Sequence, residues 1–204
     1  MSYLEKRVLE LSHKHKLSHI GSCVTAVNAI EAIYKVKKPN EPFILSSGHM
    51  GLAQYVVLEA WGFGDAEDLV KKYGTHPDRD MERGIWASTG SLGHGIGLAV
   101  GMAIADKTRN VYVIISDGES AEGSVWESLR IAGDLRLENL RVAILCNGYG
   151  AYGKVDIEIL EKRLQLFYPT LIIKVNMFNY PDFLQGLQAH YVVMTDEQAK
   201  EVGI

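Results

Sequence analysis

Cysteine is scarce in this sequence. Its 204 residues hold only Cys23 and Cys146, without the spacing of a metal-ligand motif and too few for a disulfide framework, so a reducing compartment is expected. Long apolar runs are absent as well: no segment approaches the about eighteen consecutive residues needed to cross a bilayer. The opening Met1-Ser2-Tyr3-Leu4-Glu5-Lys6-Arg7 has no apolar signal core. These absences argue against a membrane or secreted protein and for a cytoplasmic one. Positive charge is not in excess either. The 21 Lys and Arg stand against 25 Asp and Glu, a net charge of −4, which leaves no electrostatic reason to expect nucleic acid or an anionic membrane as partner. Lys14, Lys16, Lys35, Lys37 and Lys38 form small local clusters that read as solvated faces.

No internal repeat, low-complexity tract or Pro/Gly/Ser linker divides the chain. Residues 1–204 therefore read as one domain, long enough to bury about 70% of its unfolded surface without staples. Its 47% apolar and 23% charged composition is that of an ordinary globular protein. What is present is an alternation of helical and strand patterns. Leu4, Val8 and Leu11 share one helical stripe across 3–18, and a second helix is expected over 24–34. Further helices are expected over 52–60, over 66–73 behind Asp65 as N-cap, over 92–106, over 124–135 and after Asp156. Apolar runs predict strands at 43–45, 111–115, 140–146 and 170–175, and a polar segment closes the chain. Such alternation points to an α/β fold with a mostly parallel sheet. Within 92–106, Gly93, Gly95, Gly97 and Gly101 each cost about 1 kcal/mol of helix propensity relative to alanine, so close backbone packing or approach to a ligand is expected there.

Asp117 follows the apolar run Val111-Tyr112-Val113-Ile114-Ile115, and thirty residues later Asn147 follows the run 140–146. Both would stand at the carboxyl ends of buried strands, where open α/β sheets bind ligands. A carboxylate beside a carboxamide offers hard oxygen donors. Mg2+ takes one or two such protein oxygens and fills its octahedron with water and phosphate oxygens. Between the two, Ser116-Asp117-Gly118-Glu119-Ser120-Ala121-Glu122-Gly123 leads into the helix expected over 124–135, whose free amides and positive dipole end would face an anion. The arrangement suggests metal plus diphosphate; an ordinary pair of strand-end turn residues is the alternative that these positions alone leave open.

The spacing resembles the thiamine diphosphate motif, Gly-Asp-Gly followed by Asn at this separation. Glu119-x-x-Glu122-Gly123-x-x-x-Glu127 and Leu137-Glu138-Asn139-Leu140 are similar to the transketolase version of it. So are Leu17-Ser18-His19-Ile20-Gly21-Ser22, Phe43-Ile44-Leu45-Ser46-Ser47-Gly48-His49 and Thr75-His76-Pro77. A long glycine-rich word over 88–103 and Ala189-His190-Tyr191 followed by Thr195-Asp196-Glu197 complete the resemblance. It implies a three-layer α/β thiamine-diphosphate-binding fold, with a mostly parallel central sheet flanked by helices. It also implies thiamine diphosphate and Mg2+ as cofactors, and transfer of a two-carbon ketol unit from a ketose phosphate to an aldose phosphate, as in the pentose phosphate pathway.

Site residues follow from the same resemblance. Asp117 and Asn147 would ligate Mg2+ by side chain and Tyr149 by its carbonyl, placing Asn147 against the cofactor as well. Gly118 and Glu119 would offer backbone N–H groups to the diphosphate, while Gly90 and Leu92 would lie along the cofactor's far end. His49 and His190 would reach diphosphate oxygens. His19, His76 and His190 would line the substrate funnel and hydrogen-bond the hydroxyl and carbonyl oxygens of the sugars. Glu122 and Glu127 would belong to an acidic subunit contact linking two active sites, or be simple helix-start acids. His13 and His15, in the first helix, read as surface or satisfied core histidines.

In the family this domain works with a pyrimidine-binding domain whose glutamate activates the cofactor. The sequence ends at Ile204 without one, so the expectation is the amino-terminal subunit of a split transketolase, active with a separate carboxyl-terminal subunit. A homodimeric core within a heterotetramer is expected. A related synthase of the deoxyxylulose-phosphate or dihydroxyacetone type, and a non-catalytic assembly or binding subunit, are the alternatives. Ser116 stands where the motif has glycine, His94 where the family often has glutamine, and Cys146 where an aspartate is usual. The family also carries a further helix and strand before the apolar run at 170, so this chain is a compact version and its sheet edge and His190 are the least anchored of these expectations.

Overall fold

The computed structural model describes residues 1–150, 153–177 and 180–204. Two helices open it, α1 (Tyr3–His15) and α2 (Ile20–Val36), followed by the short strand β1 (Phe43–Leu45), helices α3 (Gly51–Ala60) and α4 (Ala66–Tyr73), and the glycine-rich α5 (His94–Ala105). Then come β2 (Val111–Ser116), α6 (Gly123–Asp134), β3 (Leu140–Cys146) and a small hairpin of β4 (Tyr149–Gly150) and β5 (Gly153–Lys154). The chain continues through α7 (Ile157–Phe167), β6 (Leu171–Lys174) and the short α8 (Gln188–Tyr191) and α9 (Asp196–Glu201).

Local chemistry sets the boundaries. The Ser2 hydroxyl accepts from the Glu5 amide while the Glu5 carboxylate takes the Ser2 amide, a reciprocal cap worth about 1 kcal/mol. Lys16, in the left-handed region at φ 53°, ends α1. Asp65 and Asp156 cap α4 and α7 through the Asp68 and Ile159 amides, as the sequence predicts. Helix α2 starts at Ile20, ahead of the expected residue 24, because Gly21 and Ser22 are packing residues and not a loop. A Cβ at Gly21 would lie 2.7 Å from the Ala189 Cβ. The closing polar segment is ordered too. Thr195 and Gln198 form a capping box on α9, and a His13 ring nitrogen lies 2.8 Å from Asp196.

The larger sheet is parallel, in the order β1-β2-β3-β6. Side chains alternate between its faces as strand geometry requires. Val111, Val113 and Ile115 of β2 and Val142, Ile144 and Cys146 of β3 pack with Ile96, Val100, Val125 and Leu129 of α5 and α6. Ile114, Ala143 and Leu145 instead join Leu9, Val27, Ile30 and Tyr55 of α1, α2 and α3. Helices thus cover both faces, which is the three-layer architecture the sequence implies. Each fully buried Leu, Ile or Val contributes about 1.5–3 kcal/mol. Cys23 and Cys146 are free packing residues, and burial pushes both thiols up to about 12. Asn139, from one of the transketolase-like words, donates to the carbonyls of Ala103, Asp106 and Arg109. That word therefore pins the end of α5 to the turn before β3.

Candidate functional site

β2 and β3 deliver their last residues to one place. Ser116 pairs with Leu145, the Asp117 amide donates to the Leu145 carbonyl at 3.0 Å, and Asn147 leaves β3 one residue past its end. Asp117 Oδ2 accepts from the Gly148 amide at 2.7 Å and Oδ1 from the Gly118 amide at 2.9 Å. The Asn147 carboxamide oxygen accepts from the Tyr149 amide at 3.0 Å. Asp117 is only 3% exposed. Burial pushes its carboxyl up to about 6, with the amide bonds pulling the other way and no side-chain cation among the named causes.

A pocket of about 220 Å3 opens over these strand ends. It gathers His19, His49, His76 and His190, with Gly90, Leu92, Asp117, Gly118, Asn147 and Tyr149. Residues expected from seven separated stretches of sequence therefore share one cavity. Three histidines form its inner cluster, with ring centroids 4.4 Å apart for His19 and His190, 5.3 Å for His19 and His49, and 5.4 Å for His49 and His190. Burial pushes His49 down to about 3 and His19 down to about 4, with the neighbouring imidazoles adding to it, and lowers His190 as well. Each is neutral near pH 7 and offers one N–H donor and one acceptor nitrogen. His76 is exposed at the rim.

His19 occupies the left-handed region, φ 63°, at the head of α2. Its amide donates to the His190 carbonyl at 3.0 Å, and the tight Gly21–Ala189 contact lies two residues on. Together these bring His190 back from the end of the chain. On the opposite wall, a Cβ on Gly95 would lie 2.5 Å from the Ser46 Cα, so glycine is required where α5 passes β1. Gly97 and Gly101 lie exposed on the outer face of α5, where the expected close approach does not occur.

Some predicted residues sit elsewhere. Glu122 and Glu127 are exposed at the start of α6 and outside the pocket. Glu127 forks onto the Arg130 Nε and Nη2 at 3.0 and 2.7 Å. The expected alignment of the α6 amino end with an anion is not realised: a 3-10 turn, Glu119–Ala121, intervenes, and no residue of α6 lines the pocket. His94 is exposed. The Gly118 amide turns onto Asp117, and the Glu119 amide donates to Ser116 Oγ at 3.1 Å, so both amides expected to face a diphosphate are engaged within the protein.

The sequence reading missed the Glu119 side chain. It is fully buried and accepts from the hydroxyls of Ser46 and Ser47 and the amide of Gly93. Two consecutive serines at a strand end were the available signal. Ser22, Thr25 and Met50 also line the pocket without a motif to announce them.

No cluster of three or more His, Cys, Asp or Glu gathers as a metal centre among the described residues. The donor set here is sparser and all oxygen: the Asp117 carboxylate, the Asn147 carboxamide and the Tyr149 carbonyl. That suits Mg2+, which keeps water and phosphate ligands, and a buried carboxylate with no cation against it has charge to spare for one.

Residues 7–170 match the family model described as transketolase, thiamine diphosphate binding domain. The chain is 38% identical over 160 residues to a subunit of the apulose-4-phosphate transketolase of Phocaeicola vulgatus, covering 69% of this chain and 56% of that protein. It is 37% identical over 220 residues to the 6-deoxy-6-sulfo-D-fructose transketolase subunit SqwG of a Clostridium species, covering 97% of this chain and 77% of that one. The fold superposes on the transketolase of Campylobacter jejuni with a TM-score of 0.72 at 19% identity, covering 98% of this chain and 41% of the other. The chain thus spans little more than half of the first relative and less than half of the Campylobacter enzyme.

Proposed function

The chain belongs to the transketolase thiamine diphosphate binding domain family, and on that premise we propose that it is the diphosphate-binding subunit of a two-subunit, Mg2+-dependent transketolase. One observation carries the reading: a single pocket collects Asp117, Asn147, Tyr149 and four histidines drawn from separate stretches of the chain. Asp117, Asn147 and the Tyr149 carbonyl would hold Mg2+, and His49 and His190 would donate to diphosphate oxygens. Thiamine diphosphate, when bound, supplies the nucleophilic carbon that accepts a two-carbon ketol unit from a ketose phosphate and passes it to an aldose phosphate.

The chain's own residues orient and shield. Neutral His19 and His190 present N–H donors to sugar hydroxyl and carbonyl oxygens, with His76 at the entrance. Because burial makes His19 and His190 resist protonation, these two hydrogen-bond the sugar without adding positive charge beside Mg2+. The relatives named as subunits support a separate partner carrying the pyrimidine-binding domain. A homodimeric core within a heterotetramer is supported by α5, where Leu98 and Ile104 remain 45% and 44% exposed on an apolar face beside α6, which has Glu122 at its N-cap and Glu127 in its second turn. A cytoplasmic location agrees with two free, buried thiols.

Ketol transfer between xylulose 5-phosphate and ribose 5-phosphate, assayed with the chain alone and then with a candidate carboxyl-terminal subunit, tests the proposal. Activity confined to the mixture is the expected result. Turnover by the chain alone would contradict the two-subunit reading.

A further inference from the structure

Glu119 is the most buried acid near the pocket, at 0% exposure, and nothing in the ligand assignment uses its side chain. Its Oε1 accepts from the Ser46 hydroxyl at 2.6 Å and from the Gly93 amide at 2.7 Å, and its Oε2 accepts from the Ser47 hydroxyl at 2.5 Å. Proton accounting closes the network. Ser47 has one hydroxyl proton, and the carboxylate takes it, so in the 3.0 Å contact between the Ser47 and Ser116 hydroxyls Ser116 is left to donate. Ser47 Oγ also accepts from the Ser116 amide at 3.0 Å, Ser46 Oγ from the Ile96 amide at 2.9 Å, and Ser116 Oγ from the Glu119 amide at 3.1 Å. Every donor has a single acceptor.

Three loops meet on this one carboxylate. The first continues from β1 to His49, the second carries Gly90 and Leu92 into α5, and the third carries Asp117. An acid without a cation beside it is a costly thing to bury, and hydrophobic residues would fill the same space at no electrostatic cost. Resting on the thiamine diphosphate reading above, we propose that Glu119 is a positioning residue: it holds these three loops in register so that Asp117 and His49 face the same metal-bound diphosphate. Its amide is not a diphosphate ligand, because Ser116, standing where the motif has glycine, takes it. The carboxylate touches neither cofactor nor substrate.

The test is a variant series in the full chain, with its partner subunit present for turnover. Glu119→Ala leaves two serine hydroxyls and the Gly93 amide without an acceptor. It is expected to raise the thiamine diphosphate concentration for half-maximal activity about 30-fold while kcat at saturating cofactor falls less than about threefold. Glu119→Gln, which keeps an oxygen for Gly93 and can reverse the Ser47 bond, is expected to recover most of the loss. Calorimetry of Mg2+ and thiamine diphosphate on the same samples separates the two claims. If the parent chain binds neither alone nor with its partner, the thiamine reading fails. If the parent binds and Glu119→Ala binds equally well, or loses kcat with unchanged cofactor affinity, the positioning role is overturned. Should Glu119→Ala fail to fold, Ser47→Ala carries the test, with an expected loss of about fivefold in cofactor affinity; unchanged affinity there overturns the proposal equally.

Discussion

The pocket has two walls built on different principles. One is the edge of the sheet, where Ser46 to His49, Gly90 to Gly93 and Ser116 to Gly118 converge on a buried carboxylate that accepts three hydrogen bonds of 2.5–2.7 Å. The other is the C-terminal segment, which reaches the site through the single His19–His190 backbone bond at 3.0 Å, the Gly21–Ala189 contact and the Tyr180 hydroxyl on the Glu5 carboxylate at 2.6 Å. The first wall is a closed polar network; the second is a strap held mainly by apolar packing, with Phe183, Leu184, Met194 and Ala199 buried in the core and His13–Asp196 as a further polar tie. On the proposed function, metal and phosphate placement would reside in the sheet edge, and the strap would bring His190 to substrate from outside the 7–170 segment that the family model covers.

Breaking the strap separates the two walls most sharply. Gly21→Val drives a side chain into Ala189, displaces α8 and withdraws His190. The expected result is a loss of about 30-fold in ketol transfer in the reconstituted enzyme, with Mg2+-dependent cofactor affinity falling by less, through the one diphosphate contact that leaves with His190. His190→Ala should give a similar loss, and the double variant no more than either. Equal losses in binding and turnover would mean that the strap also places the metal.

A pH titration of stability in the cofactor-free chain probes the histidines that lie between the walls. His49 titrates near 3 and His19 near 4 in the folded chain, against an ordinary value of 6.5. Between about pH 4 and 6.5 these two sites bind more protons in the unfolded chain, so their contribution to folding stability rises with pH, offset in part by Asp117, whose carboxyl is raised to about 6 by burial. The histidine contribution is thus lost as pH falls from 6.5, and urea midpoints measured along the window, with and without His49, should show it. His49→Gln should flatten the slope; an unchanged slope would place the protons elsewhere.

The mildest perturbation is Tyr180→Phe, which removes the strap's bond to Glu5. It should cost about 1.5–3 kcal/mol of stability, as for other hydrogen bonds to charged groups, and speed amide exchange after residue 180 while leaving the network around Glu119 protected. Uniform exchange across both walls would erase the distinction.

The sequence revealed the two walls unequally, and for physical reasons. The sheet edge was legible because strand runs, turn residues and the Asp117–Asn147 spacing are local patterns that fix where side chains emerge. Asp65 and Asp156 announced their helices for the same reason. Ser46, Ser47 and the Glu119 side chain were barely legible, since a hydroxyl–carboxylate network among residues 46, 47, 93 and 119 leaves no periodic trace beyond two serines at a strand end. The start of α2 was placed late because Gly21 resembles a loop residue until Ala189 is seen packed against it. Nor did the Glu122–Glu127 pair reveal whether it is a subunit contact or a pair of simple helix-start acids, because what covers an exposed side chain is a tertiary fact.

The central claim is that the sheet edge is built for a metal-bound diphosphate. Calorimetric titration of thiamine diphosphate into the chain with its partner subunit, with Mg2+ and with chelator, and then with Asp117→Ala, tests it most directly. The account predicts one site per chain that needs Mg2+ and is weakened more than about 100-fold by the substitution. Binding indifferent to Mg2+ and to Asp117, or no binding at all, would contradict it.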